Sequence, residues 1–198
     1  MKNIIKIALA LVIIALTYFI YQSIMEPVRF NKAKDDRYAV IIQQLKDIRD
    51  LEKLFKNANK RYTANYDSLF LFAQTGKIPM IKMVPDPTDT TFTRSITDTI
   101  GFTLVKDSLF GKRPNFDINS LKMNPFVSGK EIKLEAGFIN KSSVKVPVFM
   151  ASAENKDILV GLDEQLIINL DASLKTLNRF EGLKVGSMTE VSIDGNWE

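Results

Sequence analysis

The side chains that most often do chemistry are missing from this chain, which has no histidine and no cysteine. That removes imidazole as a general base and ligand, and thiolate as a nucleophile and ligand. Serine, lysine and carboxylate remain, so the chemistry open to the chain is a Ser-Lys dyad or a pair of acids. The spacing does not supply either. Ser173-Leu174-Lys175 sets serine and lysine two positions apart, where they do not share a helix face. Ser142, Ser143 and Lys145 fall in an expected turn, and no Ser-x-x-Lys opens a buried helix. Nine glycines are scattered along the chain and form no phosphate loop. Asp86 and Asp89, in the turn-rich stretch Val84 to Thr93, offer carboxylates to calcium without the further convergent oxygens or the EF-hand spacing such a site needs. The residues therefore predict a protein that is not an enzyme and holds no metal or cofactor.

Charge gives the same answer for nucleic acid. The formal net charge is +4, from 27 basic and 23 acidic residues spread along the chain, with no basic stripe to track a phosphate backbone.

The elements that must position any functional surface begin with the first 62 residues. Ile7 to Met25 are nineteen consecutive uncharged residues, and as a helix at ~1.5 Å per residue they match the hydrocarbon thickness of a bilayer. Ile7, Leu11 and Ile14 lie within this run. Lys6 extends towards headgroups at one end, and Tyr18 and Tyr21 sit near the other, where amphipathic rings favour the interface. Residues 1–27 are read as a retained single-pass anchor, with a cleaved signal and a buried core helix as alternatives. Tyr21 and Ser23 do not make a small-x-small cleavage site. Lys2 and Lys6 flank one side, against Arg29, Lys32, Lys34 and Arg37 on the other, so the basic residues conflict with the signal-like start over sidedness.

Glu26-Pro27 predicts a kink or short break. Beyond it, residues 28–62 read as an amphipathic helix whose apolar stripe runs Tyr38, Ile41, Leu45, Ile48, Leu51, Phe55, Ala58 and Tyr62, in gaps of three and four. Two uses fit the stripe: packing on the chain's own sheet, or a coiled-coil seam with another subunit. A compact domain is shorter than the helix, so Phe55, Ala58 and Tyr62 are expected under the domain and Tyr38, Ile41 and Leu45 open to a neighbour in a homo- or hetero-oligomer.

Residues 63–198 read as one α+β domain. Thr63-Ala64-Asn65 caps a short helix through Leu69, Phe70 and Phe72, closed by Gly76 and Pro79. Strands follow at Ile100 to Val105, Glu131 to Ile139 and Val144 to Ala151. Ile132, Leu134, Ala136 and Phe138 share one face, and Val144, Val146, Val148 and Met150 share the next. Asn140-Lys141-Ser142-Ser143 connects the last two as a hairpin, and Pro147 suggests an edge strand or bulge. A helix over Asp163 to Phe180, with Leu166, Ile167, Leu170, Leu174 and Leu177 inward, precedes an extended stretch from Leu183 to Ile193.

This order, a membrane helix running into an amphipathic helix, then Tyr62-Thr63, a Leu-Phe-rich segment and an antiparallel meander, resembles type IV pilins and type II secretion pseudopilins. Their Gly-Phe processing junction and the glutamate near the start of the apolar run are absent. The phrases Lys-Asp-Ile-Arg at 46–49, Val-Lys-Asp-Ser-Leu-Phe at 105–110, Gly-Leu-Lys-Val-Gly-Ser at 182–187 and Gly-Asn-Trp-Glu at 195–198 are similar to those of uncharacterised bacterial envelope proteins. The resemblance implies an inner-membrane protein with a periplasmic domain, acting as a structural or interaction subunit of an envelope assembly. A membrane-tethered ligand-binding or sensory domain is the alternative.

Overall fold

A computed structural model of the chain describes residues 2–85, 95–113 and 115–198. The expected loop carboxylates Asp86 and Asp89 lie outside them. The fold is α+β: one long apolar-led helix, then antiparallel strands and short helices gathered along its second half.

Helix α1 spans Lys2–Asn59, 58 residues without interruption. The break expected at Glu26-Pro27 does not form. A proline within a helix deprives the carbonyl four residues back of its donor, here Ser23, and because Ser23 and Pro27 are both exposed that carbonyl is free to find a partner outside the chain. The helix stops at Lys60, whose φ of 59° is left-handed and whose N–H still bonds the Lys56 carbonyl at 2.7 Å.

The stripe is an internal spine from Tyr38 to Phe55. Ile41, Leu45, Ile48 and Leu51 are 0% exposed, Phe30, Phe55 and Tyr62 are buried, and Tyr38 packs against them half-buried. Ile41 and Leu45, expected to be open to a neighbour, are therefore fully covered by the chain itself, and Ala58, expected under the domain, is exposed. The domain is not a ball at the far end of the helix. It is drawn out along α1, which packs against α2, α3, α4, β4 and β5, so the covered stretch from Phe30 to Phe55 is ~38 Å long.

Helix α2, Tyr66–Thr75, starts where Asn65 caps it, its side chain accepting from the Asp67 and Ser68 amides. Strand β1, Lys77–Pro85, pairs antiparallel with β2, Ser95–Leu104, as a separate two-stranded ribbon with a bulge at Met80/Ile81. Pro79 thus lies within a strand, where the sequence pointed to a helix stop. Helix α3, Val105–Phe110, follows directly, so Val105 opens a helix and does not end a strand.

The second sheet has the order β3-β4-β5, with β3 at Lys133–Lys141, β4 at Val144–Glu154 and β5 at Gly182–Gly186, all antiparallel. β3 and β4 join through Ser142 and Ser143, both at positive φ (49° and 66°), a tight turn whose backbone follows the strand twist. β4 is central and not an edge. Pro147 pairs with Phe138 of β3, while β5 pairs only from Met150 onward, so no β5 partner is deprived of its donor. β4 presents Phe149, Ala151 and Ala153 to the core. On the face shared by Val144, Val146, Val148 and Met150, Val144 is 61% exposed and Val148 is buried. On β3, Ile132 before the strand and Leu134 within it are buried, and Phe138 is exposed.

Helix α4 is the single turn Asn155–Ile158, and α5 spans Glu164–Thr176, capped by Asp163. α5 is shorter than expected and buries none of its residues fully. Leu166, Ile167 and Leu170 lean on the core, whereas Leu177 is beyond the helix and 63% exposed. After β5 the chain is mostly irregular.

Candidate functional site

Site residues expected from the sequence separate into two groups. The expected anchor residues Ile7, Leu11, Ile14, Tyr18 and Tyr21 are all exposed, at 57–66%, on the one helix among the described residues that is long and apolar enough to cross a membrane. Tyr38, Ile41, Leu45, Ile48, Leu51 and Phe55 are instead consumed by the core, as described above.

The polar groups along α1 are tied down in the same way. Asp47 accepts from Arg113, and Gln43 donates to the same carboxylate at 3.0 Å. Arg37 Nη1 donates to the carbonyls of Ile158 at 3.0 Å and Val160 at 2.8 Å, latching the turn after α4 to the helix. The Tyr38 hydroxyl bonds Asn155 Oδ1, and Asn155 Nδ2 donates to Asp171 Oδ1 at 2.6 Å. Burial, with Asp171 nearby, pushes the Tyr38 hydroxyl up to about 12, so it stays a donor near neutrality. Glu52 is 0% exposed and accepts only the Thr63 amide, at 3.2 Å. Its Oε1 has no partner among the described residues, and burial pushes the carboxyl up to about 8.

The phrases singled out at 46–49, 182–187 and 195–198 converge on this scaffold. Arg49, from the phrase at 46–49, bonds Glu198 at 2.7 Å. Asn196 accepts from the Lys184 amide at 3.0 Å and donates to the Gly182 carbonyl at 2.8 Å, stitching the last phrase to β5. Gly186 at φ 77° approaches the Phe149 carbonyl so closely that a Cβ would lie 2.3 Å from it, which only glycine permits. These residues hold the fold.

Among the described residues, no group of three or more His, Cys, Asp or Glu is placed to hold a metal. A surface hollow of ≈ 430 Å³ is lined by charged side chains including Glu154, Lys156, Asp171 and Arg179. What stands out is apolar surface. On the β1–β2 ribbon Met80 (44%), Ile81 (54%), Ile100 (62%) and Phe102 (65%) are exposed, and both outer strand edges are unpaired by any described strand. Leu71 of α2, an element that contacts β2, is also exposed. Alternation in the sequence around Ile100 signalled a strand, but nothing in it distinguished a core strand from a projecting one.

No family model, curated protein or solved structure matches the chain.

Proposed function

We propose that this chain is a non-catalytic, membrane-anchored subunit of a bacterial envelope assembly, of a pilus-like or secretion kind. It crosses the inner membrane once and carries its domain on the periplasmic side. The observation that carries the reading is α1 itself, in which a bare apolar half and the buried spine of a folded domain are one helix. A chain built this way holds a domain against a bilayer at a fixed height. The exposed apolar residues of the β1–β2 ribbon supply the docking surface for other subunits, by burial of Ile100 and Phe102 and by pairing on a free strand edge. Oligomerisation runs through this ribbon, because the α1 stripe is already covered.

In-cell photocrosslinking tests it. A photoreactive residue at position 102 is expected to give discrete adducts with membrane or periplasmic proteins, while the same residue at the exposed position 58 of α1 gives none. Adducts absent from positions 100 and 102 in a protein that remains in the membrane fraction would remove the subunit role. Activity of a cytoplasmic reporter fused after Glu198, with silence of a periplasmic phosphatase there, would remove the envelope location.

A further inference from the structure

A cleft of ≈ 390 Å³ opens where α1 leaves its apolar run, between the helix and the turn leading into α5, and Gln22, Glu26, Arg29, Phe30, Leu162 and Asp163 line it. Its α1 residues reach from Gln22 to Ala33, that is from ~5 Å below to ~12 Å above Met25 along the helix axis. With Met25 at the edge of the hydrocarbon, that span takes in the headgroup layer, ~5–7 Å thick. Glu26 and Arg29 form no ion pair among the described residues, though they stand one turn apart on one face. Asp163 spends Oδ1 on the α5 cap, accepting from the Leu166 amide at 2.8 Å. Buried Phe30 and half-buried Leu162 give the cleft an apolar wall continuous with the bare helix below.

We infer that this cleft seats the headgroup of a phospholipid bearing a primary ammonium. The inference rests on the membrane-spanning reading of α1. The Arg29 guanidinium takes the phosphate, for which its fork of donors is suited. Glu26 and Asp163 take the ammonium, and the acyl chains lie along the apolar residues before Met25. Two carboxylates beside one cation disfavour a purely anionic headgroup, and a quaternary ammonium has no N–H to give them.

The test uses the full chain reconstituted into vesicles of ethanolamine, choline and glycerol phospholipids in equal parts. Flotation reports insertion, and native mass spectrometry after gentle detergent release reports the retained lipid. Ethanolamine lipid is expected to be enriched over choline lipid by roughly two- to fivefold, the equilibrium equivalent of an exposed charge pair. Arg29→Ala and Glu26→Gln should each erase the enrichment with flotation unchanged, and Lys32→Ala should leave it intact. A chain that floats with no preference, or prefers the glycerol lipid, overturns the headgroup seat while leaving the anchor standing. Failure to float overturns the anchor and the seat with it. Equal binding of soluble glycerophosphoethanolamine, with no retained lipid, overturns the membrane source of the ligand.

Discussion

Arg113 meets Asp47 side on, Nη1 to Oδ2 at 2.8 Å and Nη2 to Oδ1 at 2.7 Å, with its guanidinium 4.6 Å from the Phe116 ring centroid and 5.1 Å from that of Phe110. Two parallel charged hydrogen bonds and two ring faces fix a planar group that an ammonium cannot imitate. Arg113→Lys is therefore expected to destabilise the domain by about 1–2 kcal/mol, less than a fully buried pair because the arginine side chain is 38% exposed. Urea unfolding of the full chain in detergent reads the difference. An unchanged midpoint would show that the pair is ornamental.

Glu52 sets a pH dependence with a definite sign. Its folded pKa, about 8, lies above the ordinary glutamate value of 4.5, so between those values the folded state holds a proton that the unfolded state has lost. Stability from this group is full below about pH 4.5, falls as pH rises towards 8 and is flat above, a loss on the order of 5 kcal/mol. Glu52→Gln should flatten the profile and make the variant the more stable protein at pH 9. Parallel pH profiles for the two proteins would show that Glu52 does not titrate in this range.

Truncation along α1 distinguishes the two uses of the stripe. Ile41→Ala, Leu45→Ala and Leu51→Ala should each cost ~2–5 kcal/mol, because all three side chains are enclosed. Ala58→Ser, on the exposed end, should stay within about 0.5 kcal/mol. Melting temperatures that fall only for Leu51→Ala, with loss of a dimer for the other two, would return the proximal stripe to an intersubunit seam.

The β3–β4 turn is held by two serines in a conformation that suits Asn-Gly. Replacing Ser142→Asn and Ser143→Gly together should raise stability by about 1 kcal/mol. A lower unfolding midpoint would mean that the serines make compensating bonds.

Much of α1 was legible because a helix writes its periodicity over many turns. The bare run and the stripe from Tyr38 to Phe55 follow from spacing alone, and Asn65 marked the start of α2. What spacing does not carry is which neighbour covers a stripe. Ile41 and Leu45 look like seam residues until Ile158 and Leu159, more than a hundred positions away in sequence, are known to share their core. β4 failed for a related reason. Alternation defines two faces without saying which is inward, and near Val148 to Ser152 both faces carry buried residues, so spacing alone does not separate Phe149 and Ala151 from Val146 and Val148. β1 was hidden by Pro79 and by its short run, and α3, six residues long, leaves too few turns to show a period. The apolar ribbon was missed as a surface because Ile100 and Phe102 read the same whether covered or bare.

The unbroken passage through Pro27 has a mechanical side. A domain on a flexible leash would sample all headings above a membrane, but here the spine is the same rod as the apolar run, and the residues from Met25 to Asn59 form a lever arm of ~51 Å. A lean of about 10° in the lower half would carry the upper end sideways by ~9 Å by simple trigonometry on that length, and a roll of the lower half would swing the ribbon around by the same angle. Whatever grips the first two dozen residues thereby steers the domain.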